Sequence, residues 1–449
     1  MQRGRDVARL RYGMLCRIPS RLRVPSLAVV LAVLCLPVPA SAYSVLAHQA
    51  AVDAMWEQEI VPLLHARFPQ TDADGVEKAR AFAYGGAVIQ DLGYYPLGSH
   101  LFTNLTHYVR SGDFVKALIG TACDVNEYAF GLGALAHYES DTAGHPLAVN
   151  RVVPMLYPGT REEFGDDVLY VNARARHVMV EFAFDVSQVA RGAYIAQELH
   201  RRIGFEVAEE ALARAFHETY GLELKDVLLS VDLAVGTYRY AVGKTIPEMT
   251  RLAWRDKREE IERQSPGMQE SVFVYSLSRA EYDRDFGTTY RKPGLLSRLL
   301  AFIIKIVPKV GPFRPLAFTP LPQPEEELLV KSVAAAHARY RTALQMLGRG
   351  KLDLENSDFD TGNPPVRSRN PLVEKTYADL LEQLEHHDFE QVPDDLRAAI
   401  NAYYSEPVAA GSRKAARKEV RLRRRLAALN AAASTSGSAI EAGVQAPPR

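Results

Sequence analysis

An ordered series of candidate metal ligands carries the chemistry legible in this chain. In order they are Tyr43, His48, Asp91, His107, His137, Asp141, His145, His177 and Glu181. Five of the chain's twelve His fall in the series. Five imidazoles and three carboxylates are more than enough for several zinc ions, which take nitrogen and carboxylate oxygen in roughly tetrahedral sites. The spacing indicates how they converge. His137 and Asp141, Asp141 and His145, and His177 and Glu181 are each four apart. On a helix, residues four apart share one face, and two such helices facing each other can hold a polynuclear site in a bundle core. Asp141, between His137 and His145, is the natural bridge between metals. Water on zinc reaches a pKa of about 7, and two zincs roughly 3.5–4 Å apart clamp a phosphoryl group.

Tyr43 enters for a different reason. Residues 1–42 read as a secretory signal peptide. Seven Arg between Arg3 and Arg23 precede an apolar run from Val24 to Leu36, followed by the small-x-small signal Ala40-Ser41-Ala42. The apolar run is short for a transmembrane span. Cleavage after Ala42 makes Tyr43 the new N-terminus, whose free α-amine and carbonyl can chelate one ion with His48 completing the set. The expected localisation is secreted or periplasmic. The processed chain carries 47 Lys and Arg against 53 Asp and Glu, a mildly acidic balance that argues against a nucleic-acid partner held through phosphates. Only Cys123 survives processing, so no intrachain disulfide supports the fold.

The elements that must position the series are helical, and the expected fold is all-α, a multi-helix bundle with a helical C-terminal extension. Asp124 to Glu139 has helical periodicity, with Gly131, Gly133 and Ala134 allowing close packing. Arg174 to Tyr194, Glu206 to Tyr220 and Leu222 to Ala241 continue the pattern. Gly93 to Gly98 reads as a turn-rich break, Leu147 to Asp167 as a loop insertion, and Tyr108 to Phe114 as the end of the His107 helix at Gly112. The helical domain is expected over 43–290. An apolar segment, Leu295 to Val310, and a Pro-rich linker follow over 291–325. A helical region spans 326–410, and a basic helix with a disordered tail spans 411–449. Leu295 to Val310 reads as core rather than as a lipid-surface element, the alternative. The basic run Arg413 to Arg425 reads as a solvated face, with anionic lipid as the alternative partner.

The series resembles that of the zinc-dependent phospholipase C and single-strand-specific nuclease superfamily. That pattern is an N-terminal aromatic, then His, Asp, His, His-x3-Asp, His and a closing His-x3-acid. Here it is met by Tyr43, His48, Asp91, His107, His137-x3-Asp141, His145 and His177-x3-Glu181. The resemblance implies an all-helical fold with three zincs. Asp91, His107, His137 and Asp141 would hold one, His145, His177 and Glu181 a second, and Tyr43, His48 and Asp141 the third. It also implies hydrolysis of a phospholipid phosphodiester by zinc-bound hydroxide, with Asp91 orienting or deprotonating the water. Glu181 as the closing acid leans toward the phospholipase branch. Tyr43 stands where Trp is usual, but its chelating atoms are backbone. In members that read choline, a Tyr follows the metal-binding Asp and a Phe lies before the next His. Leu92 and Asn104 occupy those places, so the head group stays open.

Two other readings remain. One is a nuclease or phosphodiesterase of the same fold, with Tyr94, Tyr95 and Phe102 as base-stacking aromatics. The other is a zinc-stabilised envelope-associated binding protein. Outside the series, His100 reads as a loop residue, and His65, His200, His217, His337, His386 and His387 as solvent-facing. Glu139 reads as helix surface.

Overall fold

Two helices at the centre of the fold touch backbone to backbone. In the computed structural model they are α3 (Ala73–Ile89) and α6 (Val125–Gly144), and no other helix pair among the described residues packs as extensively. Glycine makes the approach possible. A Cβ on Gly86 would lie 1.9 Å from the carbonyl oxygen of Phe130, and one on Gly133 would lie 1.9 Å from that of Ala83. Each helix is started by an aspartate. Asp72 accepts from the Gly75 amide at 2.8 Å, and Asp124 accepts from Asn126 and Glu127 at 2.8 and 2.9 Å. Both satisfy donors that a helix start leaves open.

The structure describes residues 45–95, 98–190, 206–228, 230–240, 321–406 and 413–442, with isolated positions between 251 and 270. The expected signal peptide, Tyr43, Leu295 to Val310 and the Pro-rich stretch up to Pro320 lie outside them. The other helices are α1 (Val45–Met55), α2 (Val61–Arg67), α4 (His100–Tyr108), α5 (Ser111–Gly120), α7 (Asn150–Leu156), α8 (Pro158–Phe164) and α9 (Arg174–Ala190). Then follow α10 (Glu209–Tyr220), α11 (Leu224–Val227), α12 (Val231–Tyr240), α13 (Gln323–Gly348), α14 (Pro371–His386), α15 (Asp394–Ser405) and α16 (Arg413–Ala442). Among the described residues the only extended pairing is an isolated bridge between Asp358 and Asn363. The fold is all-α, as expected. No helix of the described residues is long and apolar enough to cross a membrane.

Several local expectations are corrected. Leu147 to Asp167 is not a loop: after a wide turn at His145–Val149 it forms α7 and α8. Its prolines misled because their missing donors are accommodated. Pro154 cannot donate to the Asn150 carbonyl, and the Val168 amide does so instead at 2.9 Å. Pro158 takes the first position of α8, where no donor is needed. Gly93 to Gly98 begins inside a 3-10 turn, Gln90–Tyr94. The His107 helix ends at Tyr108, and Arg110, at φ 52°, makes the left-handed break. Gly112 instead lies in α5, where a Cβ would be 2.3 Å from the Glu355 carbonyl. His100 opens α4 rather than sitting in a loop, and His337 is half-buried rather than solvent-facing. The Ala/Ser/Gly-rich end expected to be disordered continues as helix α16 to Ala442.

Glu139 is not helix surface. It is 5% exposed, and Arg339 of α13 donates to it at 2.9 Å. Tyr340 of the same helix donates to the Leu132 carbonyl at 2.9 Å. Thus α13 lies along α6, and the chain beyond it, residues 354–363, crosses the same core. Tyr138 Oη donates to the Glu355 carbonyl at 2.8 Å, Ser111 Oγ to that of Ser357 at 2.7 Å, and the Phe359 amide to that of His107 at 3.3 Å.

Candidate metal centre

The α3–α6 contact positions the first imidazole. With the two backbones touching, His137 on α6 reaches the Ala87 carbonyl of α3, with Nδ1 2.9 Å from the oxygen. On α4, His107 Nδ1 lies 2.9 Å from the Thr103 carbonyl. On α9, His177 Nδ1 lies 3.3 Å from the Ala173 carbonyl. A carbonyl can only accept, so in His137 and His107 a proton sits on Nδ1, and Nε2 is the nitrogen turned to the carboxylates, which ligates once a metal displaces any proton it carries. Fixing the ring in this way is how buried metal ligands are oriented.

The Nε2 atoms converge with two carboxylates. His107 Nε2 is 3.3 Å from Asp91 Oδ1 and 3.6 Å from Asp141 Oδ2. His137 Nε2 is 3.9 Å from Asp91 Oδ1 and 3.3 Å from Asp141 Oδ2. The two Nε2 atoms are 3.5 Å apart. Zinc bonds of about 2.1 Å at tetrahedral angles separate ligand atoms by roughly 3.4 Å. Four of these five separations lie within about 0.2 Å of that value, and the His137 to Asp91 separation of 3.9 Å is longer. All four side chains are buried, at 1% exposure or less.

The other oxygen of Asp141, Oδ1, lies 3.4 Å from His48 Nε2 on α1. The His48 ring stacks on His137, with centroids 4.2 Å apart. His145 Nε2 is 4.0 Å from Asp141 Oδ2. Asp141 thus faces imidazoles on both oxygens, the arrangement a bridging carboxylate needs. His145 and His177 are near-parallel, with ring centroids 6.1 Å apart. His177 Nε2 is 3.2 Å from Asn150 Oδ1. Glu181 is buried one turn beyond His177 on α9.

Charge is distributed unevenly. Burial lowers the pKa of His48 to about 3, with His137 adding to the effect. Burial likewise lowers His145 to about 4 and His177 to about 3, so these three are neutral, the form in which an imidazole ligates a metal. Burial acts downward on His107 too, but hydrogen bonding and attraction to Asp141 and Asp91 outweigh it and raise it to about 9. Burial raises Asp91. Asp141 is held well below the usual carboxylate range despite burial, by His137 and by its hydrogen bond to His107. Buried neutral imidazoles beside paired carboxylates fit zinc in their donor types.

Four participants were missed in the sequence. Asp185, four residues after Glu181, accepts from the Leu46 amide at 3.1 Å and ties α1 to α9. The continued spacing of four was its available signal. Asn150 beside His177, and Phe359 and Asp360 from the segment beyond α13, had none. The Phe359 ring packs on His107 at 4.7 Å between centroids, and Asp360 Oδ1 lies 3.9 Å from His145 Nδ1. Of the aromatics offered for base stacking, Phe102 is fully buried against Phe216 and Tyr94 is 4% exposed. Neither presents a face to a base.

Comparison with known proteins agrees with the geometry. Residues 47–229 match the family model described as zinc dependent phospholipase C. No curated protein and no solved structure matches the chain. The matched region holds every candidate ligand from His48 to Glu181, and the ligand clusters found within it are compatible with zinc. Over residues 47–229 the chain is thus similar to the zinc-dependent phospholipase C family.

Proposed function

We infer that this chain is a zinc-dependent hydrolase of the phospholipase C type, cleaving the head-group phosphodiester of a phospholipid. The observation that carries this is the convergence of the Asp91 and Asp141 carboxylates on the Nε2 atoms of His107 and His137, within the region that the family model matches. His145, His177 and Glu181 would hold a second ion. His48 and Asp141, with Tyr43 from outside the described residues, would hold a third. Zinc in these positions supplies Lewis acidity toward phosphoryl oxygens and a hydroxide at neutral pH.

The chain's own groups have defined parts. Asp91 would orient the attacking water and accept its proton, a role supported by its Oδ1 facing the Nε2 atoms of His107 and His137. The Ala87 and Thr103 carbonyls hold His137 and His107 in the ligating tautomer. Export through the signal peptide would deliver the enzyme to a lipid surface outside the cytoplasm. In the alternative reading of these segments, Leu295–Val310 and the basic face of α16 would make peripheral contact with that surface. On that face Lys418 and Arg425 pair with Glu374, Glu382 and Glu385 of α14, while Arg417, Arg421 and Arg424 are exposed.

The test is diacylglycerol release from mixed phospholipid vesicles by the zinc-loaded chain from Tyr43 onward. EDTA-sensitive release that Asp91→Asn lacks supports the reading. No release from a protein that still holds zinc overturns it, and transfers the reading to soluble phosphodiesters or nucleic acid.

A further inference from the structure

The family match ends at residue 229, yet a buried carboxylate from far beyond it faces the metal centre. His107, His137 and His177 each turn Nδ1 to a backbone carbonyl. His145 does not: its Nδ1 is buried and hydrogen-bonds to nothing among the described residues. The nearest carboxylate oxygen is Asp360 Oδ1, 3.9 Å away. His145 itself is 1% exposed and Asp360 2%.

Asp360 is held in place by a built turn. Its amide donates to Asp358 Oδ1 at 2.9 Å. Its carbonyl accepts from Asn150 Nδ2 at 2.8 Å, which fixes Asn150 with Oδ1 toward His177. Asn370 Nδ2 reaches Asp358 Oδ2 at 3.1 Å and Asp360 Oδ2 at 3.3 Å. This leaves Asp360 Oδ1 directed at His145. Gly362, at φ +64°, closes the turn against α6, where a Cβ would be 2.5 Å from the Thr142 carbonyl.

We propose that Asp360 is a positioning residue for the metal centre. It accepts the Nδ1 proton of His145, so that Nε2, on the Asp141 side, is the ligating atom. A buried carboxylate behind a metal-bound imidazole fixes its tautomer and raises its basicity. The inference rests on the zinc reading above. It makes the segment after α13 part of the metal site, although that segment lies outside the family region.

The experiment is chelator competition on the zinc-loaded full chain, following stepwise zinc loss, with D360N, D360E and D358N beside wild type. D360N is near-isosteric and keeps an acceptor for Asn370, so helix content by circular dichroism should hold. D360N is expected to release one zinc at a chelator concentration about 10–100-fold lower than wild type. D360E, which restores a carboxylate, should hold that zinc more tightly than D360N. D358N, which leaves Asp360 facing His145, should follow wild type. Equal retention by D360N and wild type overturns the proposal. So does an equal loss in D358N, since the turn rather than the carboxylate would then be what matters. A wild-type chain that takes up no zinc overturns the metal reading itself and this inference with it.

Discussion

His48 Nε2 lies 3.4 Å from Asp141 Oδ1, on the opposite oxygen of the carboxylate from the one facing His137 and His107. Helix α1 thereby meets α6 at a shared carboxylate rather than only at an apolar seam. Asp141→Asn, which removes one anionic oxygen while keeping the shape, is expected to lower zinc content by more than one ion per chain. Metal analysis of the purified variant checks this. Loss of a single ion, or of none, removes Asp141 as a bridge.

The close approach of α3 and α6 ties packing to metal binding. A Cβ on Gly133 would meet the Ala83 carbonyl, which is backbone and cannot swing aside. Gly133→Ala should therefore cost roughly 1–3 kcal/mol of stability. It should also weaken zinc binding, because His137 loses its register with the Ala87 carbonyl. Gly120→Ala, where a Cβ meets nothing within 4 Å, is the matched control. Denaturant midpoints and zinc content of the pair decide the matter, and a Gly133→Ala protein as stable as the control contradicts the contact.

The buried imidazoles set a pH dependence for the metal-free chain. His48, His145 and His177 are lowered to about 3, 4 and 3, from about 6.5 in an unfolded chain. Between those values the unfolded state binds protons that the folded state refuses. Stability from these groups therefore falls as pH drops below about 6.5, by up to roughly 1.4 kcal/mol per pH unit for each. His107, raised to about 9, acts oppositely: its contribution is fully present below about 6.5 and is lost as pH rises through 9. EDTA-treated protein should thus be most stable near pH 6.5 and lose stability toward acid. Urea midpoints measured across that range test it, and a flat profile on the acid side would show that these imidazoles are not buried neutral.

Processing should matter to the metal content. With Tyr43 as N-terminus, its α-amine would become a ligand for the ion proposed at His48 and Asp141. One extra residue before Tyr43 moves the amine and should weaken that zinc selectively. A form with the extra residue that binds zinc as the processed form does would remove Tyr43 from the site.

The ligand series was legible because helical geometry converts a spacing of four into a shared face. His137 and Asp141 needed nothing more than α6 to stand together, and His177 and Glu181 nothing more than α9. The helical class was legible in the same way, and Gly133 announced a close approach before its partner was known. The proline-bearing segment after His145 was misjudged, since only the fold supplies Val168 to take the carbonyl that Pro154 leaves open. Glu139 looked like surface because its cover, Arg339, arrives from a helix two hundred residues away.

The sequence by itself determined the donor types, their order and their helical faces, because these depend on residue chemistry and on contacts a few positions apart. Tertiary structure alone decided which nitrogen of His107 and His137 faces the carboxylates, since that depends on the Thr103 carbonyl in one case and on a carbonyl from another helix in the other. It alone brought Asp360 against His145 and Phe359 against His107. Those contacts join parts of the chain with no common periodicity, and only the packing of the segment after α13 onto α6 brings them together.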